Sequence, residues 1–238
     1  MPGRIENRKR EAIVRQLSAA AFVLVAITAC TVQQQLLMNL LPDGTIPVLL
    51  SNFERVGDTN RRRIAEFEQR RDWDGLAKFA EENIKIDKSI ADWWLVAGYA
   101  YSQSGQRRRA IECYGELVRL SPEDALGWNL LAQSYRLNGQ PDRAMQIVER
   151  ALNVTQESPA TWFLQGELYS DMNRFEQAIG GYRAAIKLDQ RFAQAWLGLG
   201  KAYARLGRTT ELKQVSEALE KLDPAMAREL AGAAAAAK

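Results

Sequence analysis

Two thiols, Cys30 and Cys113, stand in a chain that has no histidine. Without an imidazole the sequence lacks the usual general base, the usual partner of a nucleophilic serine or cysteine, and the commonest metal ligand. Two cysteines alone cannot build a thiolate metal site. Carboxylates adjoin at Glu81–Glu82 and Glu123–Asp124, but neighbours on a helix point in different directions and do not converge on a substrate. No catalytic residue, metal, cofactor or small-molecule substrate is therefore expected. The chemistry that remains is modification of a thiol and recognition by charge. Arg61–Arg63 and Arg107–Arg109 are runs of three cations near expected helix starts, where each opposes the helix dipole by about 0.3–1 kcal/mol. A solvated edge is their plain reading. The sharper one is contact of Arg107, Arg108 and Arg109 with anionic headgroups, glycan or an acidic partner.

The charge balance narrows the partners. Residues 1–29 hold five Lys/Arg and two acids, which accounts for the whole net charge of +3. The rest is neutral, and phosphate binding needs an excess of Lys and Arg, so nucleic acid is not expected.

The beginning of the chain reads as an export or anchoring segment. A basic stretch over residues 1–16 precedes the apolar run LSAAAFVLVAITA at 17–29, and Cys30 follows at once. The run is short for a membrane span and suits a secretory signal. Ile27-Thr28-Ala29-Cys30 resembles the lipobox of bacterial lipoproteins, which implies cleavage before Cys30 and acylation there. Thr31 after the cysteine then implies the outer membrane, on its periplasmic face. The chain departs from that pattern. Ile stands where Leu is usual, and the basic segment is long and carries two Glu. Apolar blocks follow at 36–41 and 46–50 where a polar tether would run. An uncleaved inner-membrane anchor over about residues 17–35, basic end in the cytoplasm, is the rival. Cys113, on an expected second helix, reads as a small core residue.

What must position everything else is a period of 34. Trp94, Trp128, Trp162 and Trp196 recur at that interval, as do Tyr101, Tyr135, Tyr169 and Tyr203, and the small residues Gly98, Ala132, Gly166 and Gly200. The spacing i, i+4, i+7 within a unit puts all three types on one helical stripe. Fixed-interval self-similarity is the mark of a repeat array. These columns resemble the tetratricopeptide repeat family. The resemblance implies an all-α, right-handed superhelical solenoid of antiparallel helix pairs, here with an N-terminal hydrophobic signal or anchor helix. The expected division is 1–29 signal peptide or anchor and 30–56 linker. Then come a worn pair at 57–90, repeats at 91–124, 125–158, 159–192 and 193–226, and a cap at 227–238. Asp58-Thr59 is expected to cap a first helix from Asn60, with a turn at Asp72-Trp73-Asp74. Only Met226–Leu230 of the tail is expected to be helical, with Gly232 and the alanines frayed. The tryptophans and tyrosines read as core.

A second stripe on the first helices faces away from that packing. It holds Leu95, Tyr99 and Ser102; Asn129, Gln133 and Arg136; Phe163, Glu167 and Ser170; then Lys201, with Leu197 and Ala204. The resemblance places it on the concave surface, where such arrays take extended or helical peptides. Its types change from unit to unit while the packing columns repeat. The expected function is a membrane-anchored scaffold that binds a protein partner and supports a cell-envelope complex of pilus or secretion type. One alternative is an inner-membrane adaptor holding client polypeptides, similar to those of cytochrome c maturation. Another is a non-catalytic subunit of an enzyme complex.

Overall fold

The computed structural model describes residues 57–154 and 156–236. The segments 1–29 and 30–56, with Cys30, lie outside the described residues. All regular structure in the described residues is helical. Helix pairs follow one another at a common length. The first is α1 (Asp58–Arg70) and α2 (Trp73–Ile86), then α3 (Ala91–Gln103) and α4 (Arg107–Leu120). Next come α5 (Ala125–Leu137) and α6 (Pro141–Val154), then α7 (Pro159–Asp171) and α8 (Phe175–Leu188). A further pair, α9 (Ala193–Arg205) and α10 (Thr209–Leu222), is followed by α11 (Pro224–Ala236). Successive helices pack on one another, and first helices also meet across units, α5 on α7, α7 on α9 and α9 on α11. The array is a helical solenoid, whose stability is a sum of unit and nearest-neighbour terms.

One turn is used five times. Arg71, Gly105, Gly139, Asn173 and Gly207 each take a left-handed φ between 53° and 76°. The next N–H then reaches back to the carbonyl of the tyrosine column. Gln106 donates to Tyr101 O at 2.8 Å, Gln140 to Tyr135 O at 2.9 Å, Arg174 to Tyr169 O at 2.8 Å and Arg208 to Tyr203 O at 3.0 Å. Such closure satisfies carbonyls a helix end would otherwise orphan, and it favours glycine or asparagine at the left-handed position.

The columns are confirmed in register but not all in depth. The four column tryptophans are half-buried, not interior. Each indole Nε1–H donates to a backbone carbonyl six residues back: Trp94 to Lys88, Trp128 to Pro122, Trp162 to Gln156 and Trp196 to Gln190, all at 2.8–2.9 Å. An indole must keep a partner for its N–H, so it sits where one edge meets the preceding linker. The deepest rings come from second helices, Tyr114 and Tyr182. Small residues make room for these rings. A Cβ on Gly98 would lie 2.6 Å from the Tyr114 ring, and one on Gly166 2.7 Å from the Tyr182 ring. Gly181 instead admits backbone, since its Cβ would stand 2.7 Å from Gly166 N and 2.8 Å from Trp162 O.

Three local expectations are corrected. α1 begins at Asp58 with Gly57 as its cap and no side-chain capping bond. Asp58, an acid in the first turn, instead pairs with Arg61 at 2.7 Å. Asp72 caps α2 by accepting from Gly75 N at 2.9 Å, so Trp73 and Asp74 lie within the helix. Most of the alanine tail is helix: α11 runs through Gly232 to Ala236. Alanine favours helix, Asp223 Oδ1 accepts from Ala225 N at 2.9 Å and Met226 N at 3.0 Å, and Leu230 docks on Gly200 and Val215. Pro224 starts this helix, in the first turn where its missing N–H costs nothing.

Candidate partner-binding surface

The first-helix stripe divides into three rows by depth. The row of Leu95, Asn129, Phe163 and Leu197 is buried. The expectation that it faces away from packing is corrected, because these side chains pack within the array. Asn129 Oδ1 accepts from Thr161 Oγ1 at 2.9 Å between α5 and α7, and the Phe163 ring lies 5.1 Å from that of Phe192 and 5.9 Å from that of Tyr182. These side chains hold units together and cannot reach a guest.

The middle row is mixed. Tyr99 is half-buried, edge-on to Trp73 at 5.6 Å. Gln133, at 1% exposure, is buried outright, another correction to the expected open stripe. Glu167 is half-buried, and Lys201 keeps 43% of its side chain in solvent beside Glu229, 2.6 Å away. In the outer row Ser102, Ser170 and Ala204 are partly exposed, whereas the Arg136 side chain keeps only 13% of its surface in solvent.

Arg136 and Glu167, expected as separate contacts, are joined to each other. Arg136 reaches across from α5 to α7, where its Nη2 meets Glu167 Oε2 at 3.1 Å and it grips Asp171 two-pronged, Nε to Oδ2 at 2.5 Å and Nη2 to Oδ1 at 3.0 Å. Tyr182 donates its hydroxyl to the other Glu167 oxygen at 2.7 Å. Burial alone would lower the Arg136 guanidinium. The bond to Asp171 and the charges of Glu167 and Asp171 outweigh that and hold it above its ordinary value. Burial, then the Glu167 charge, pushes the Tyr182 phenol well up, so it stays a donor. A planar guanidinium held by two carboxylates locks geometry between units.

The arginine run at 107–109 separates. All three are exposed, but the Arg109 guanidinium lies over the Tyr101 ring at 5.2 Å and donates to its hydroxyl at 3.2 Å. Arg107 and Arg108 point to water. Cys113 is buried, which pushes its thiol up to about 12 and leaves it unreactive.

Two features were not read from the sequence. Glu68 on α1 occupies the outer row one unit before Ser102, and burial raises its carboxyl from 4.5 to about 7. The column position was available, but nothing in the sequence marks it as desolvated. The second is a cleft of about 370 Å³ where α7, α9 and α11 meet the start of α8, bringing together the expected Ser170 and Lys201 with Asn173, Phe175 and Arg205. No helix in the described residues is long and apolar enough to cross a membrane. No group of three or more metal-ligating side chains gathers among them either.

Comparison with known proteins places this geometry. A TPR repeat model matches residues 166–207 and a tetratricopeptide repeat model matches 193–226. A model described as anaphase-promoting complex, cyclosome, subunit 3 matches 103–185. No curated protein matches the chain. Among solved structures, MamA is similar with a TM-score of 0.61 at 21% identity, over 69% of this chain and 96% of that one. TTC0263, a thermophilic TPR protein in Thermus thermophilus, gives 0.58 at 17% identity, over 72% and 95%. YrrB, described as a TPR protein with an unusual peptide-binding site, gives 0.55 at 17%, over 70% and 87%. At such identities the structural likeness speaks for the fold, and together with the repeat models it supports the tetratricopeptide repeat family for this chain.

Proposed function

We propose that the chain is a non-catalytic scaffold that binds a protein partner along the partly exposed outer row of its first helices. The observation that carries this is the contrast between rows. The packing columns repeat at every 34 residues, whereas the outer row changes from Glu68 to Ser102, Arg136, Ser170 and Ala204 and stays partly exposed at Ser102, Ser170 and Ala204. A face not constrained by neighbours, on a fold that stacks units into an extended surface, is the place where a guest can be read. YrrB is described as having a peptide-binding site, and its likeness in fold supports this reading. A photo-crosslinking side chain at Ser102 or Ser170 should trap a partner polypeptide in host membranes, while one at exposed Gln146 on α6 should not. Equal trapping from Gln146 would overturn the assignment of the surface.

The proposed setting is the bacterial envelope, with Cys30 acylated after loss of residues 1–29 and the repeats facing the periplasm at the outer membrane. There the scaffold would support a pilus- or secretion-type complex. This part rests on the sequence pattern around Cys30. Two acyl chains anchor a protein where one is marginal. Intact mass of the membrane-extracted protein tests it: loss of residues 1–29 with added acyl mass at Cys30 supports it, and an intact Met1 end overturns it in favour of an inner-membrane anchor.

A further inference from the structure

The first unit ends in a tip that later units do not repeat. α1 and α2 run antiparallel from the turn at Arg71 and Asp72, so α1 begins where α2 ends. Ile86, in the last turn of α2, keeps 83% of its surface in solvent. At the matching places of later units Leu120 is partly buried, and Val154, Leu188 and Leu222 keep 50%, 44% and 38%. Lys85 and Lys88 flank Ile86 and are exposed. The place of Lys88 is taken further on by Pro122, Gln156, Gln190 and Pro224. The Lys88 carbonyl accepts from Trp94 Nε1 at 2.9 Å, which fixes the backbone there. Exposed Arg62 comes from the start of α1, and Arg63 beside it lies over the Phe79 ring of α2 at 4.3 Å. In these outermost turns Arg61, Arg62, Lys85 and Lys88 stand against Asp58 and Asp87 only. Asp58 is taken by Arg61 at 2.7 Å, and Asp87 turns back to accept from Ser89 N at 2.8 Å and Ser89 Oγ at 2.6 Å. Glu66 and Glu82 sit a turn further from the edge.

Resting on the reading of the chain as membrane-attached, we propose that this tip sits on an anionic phospholipid bilayer. Ile86 enters the headgroup layer, and Arg62, Lys85 and Lys88 lie on lipid phosphates. The path of the chain favours this occupant. Gly57 leads into α1 at this same edge, so a tether from Cys30 meets the array at the tip. Only 27 residues separate Cys30 from Gly57, which keeps the tip within about 100 Å of the bilayer even at full extension. An aliphatic side chain among Lys and Arg suits an interface, where the stems cover apolar surface and the charged heads stay wet. A lipid anchor joined to a basic patch holds a protein where one signal alone is marginal. The run Arg107–Arg109 starts a second helix and so lies at the opposite edge. The contact thereby fixes which end of the array faces the membrane.

The test places a photo-crosslinking side chain at Ile86, or at exposed Gln146 as the control, in the full chain reconstituted with vesicles of phosphatidylethanolamine and phosphatidylglycerol. Mass spectrometry identifies what each position traps. Ile86 should trap phospholipid, and Gln146 should not. The yield at Ile86 should fall about tenfold when Arg62→Glu, Lys85→Glu and Lys88→Glu are combined. It should fall likewise when phosphatidylcholine replaces phosphatidylglycerol, and as salt rises. All three changes are at the surface, and thermal unfolding followed by circular dichroism checks that the variant is folded. No lipid adduct at Ile86, or a lipid yield indifferent to charge reversal and to lipid charge, overturns the proposal. So does capture at Ile86 of residues 36–50 or of another polypeptide in place of lipid. If the chain still floats with the vesicles in that event, the membrane attachment stands and only the tip assignment falls. A chain that does not float with them brings down both.

Discussion

Adjacent glycines on α8 show how finely single residues are set. Gly180 faces open space, while a Cβ on Gly181 would run into the backbone of α7. Gly180→Ala should therefore stabilise the chain by about 0.5–1 kcal/mol, the ordinary gain of alanine in a helix. Gly181→Ala should destabilise it by about 1–3 kcal/mol, because overpacking must push two helices apart. Urea unfolding of the two variants checks the opposite signs. Glu68 makes a separate prediction in pH. Its folded carboxyl sits at about 7 against an ordinary 4.5, so between those values the folded chain holds a proton the unfolded chain has lost. Stability from this group is full below pH 4.5 and falls as pH rises through about 7. Glu68→Gln should flatten that part of the stability profile, read as a smaller loss of melting temperature between about pH 5 and pH 8 than the native chain shows. An unchanged slope would mean Glu68 is not the group that titrates.

Element by element, much was legible because the repeat constrains it. Trp94 to Trp196 marked first helices, and Gly105, Gly139 and Gly207 marked turns whose left-handed backbone favours them. Burial along the second stripe was not legible. Leu95, Asn129, Gln133 and Phe163 are buried, whereas a single helix read alone assigns them to solvent. Asn129 meets Thr161 on the next first helix and Phe163 meets Phe192 just before the one after it, contacts set by stacking that no periodicity within one unit expresses. The cleft was missed for the same reason, since Ala233 and Ala236 in its wall belong to α11. A helix is expected only over Met226–Leu230, with Gly232 and the alanines frayed, whereas α11 runs on to Ala236 and Leu230, fully buried, seats it against Gly200. Leu230→Ala should cost about 2–5 kcal/mol, as for other buried leucines. The loss should be local, with faster amide hydrogen exchange in α11 and α10 and little change in α3 and α4. Uniform loss of protection along the chain would contradict it.

Across the whole molecule, stability is passed between neighbours and should not be even. α1 buries only Ile64 fully, with Phe67 partly covered against Phe79 at 5.8 Å. Its amides should exchange before those of α3 to α9 in native-state hydrogen exchange, since few buried contacts mean low local stability. Protection of α1 equal to that of α7 would rule this out. The indole bonds bear on the same scale. Trp128→Phe keeps the ring but loses the bond to Pro122, and should cost about 0.5–1.5 kcal/mol by urea unfolding. Four seams between units carry such a bolt, at Trp94, Trp128, Trp162 and Trp196. The fifth has Leu230 at the matching place, and leucine has no N–H to give. At the four bolted seams an indole hydrogen bond ties the linker to the helix that follows; at the last, the polar tie is instead the surface ion pair of Lys201 with Glu229. The last seam is thus the one whose polar tie lies open to dissolved salt, so screening should act on the alanine helix before it touches the indole bonds of the spine behind it.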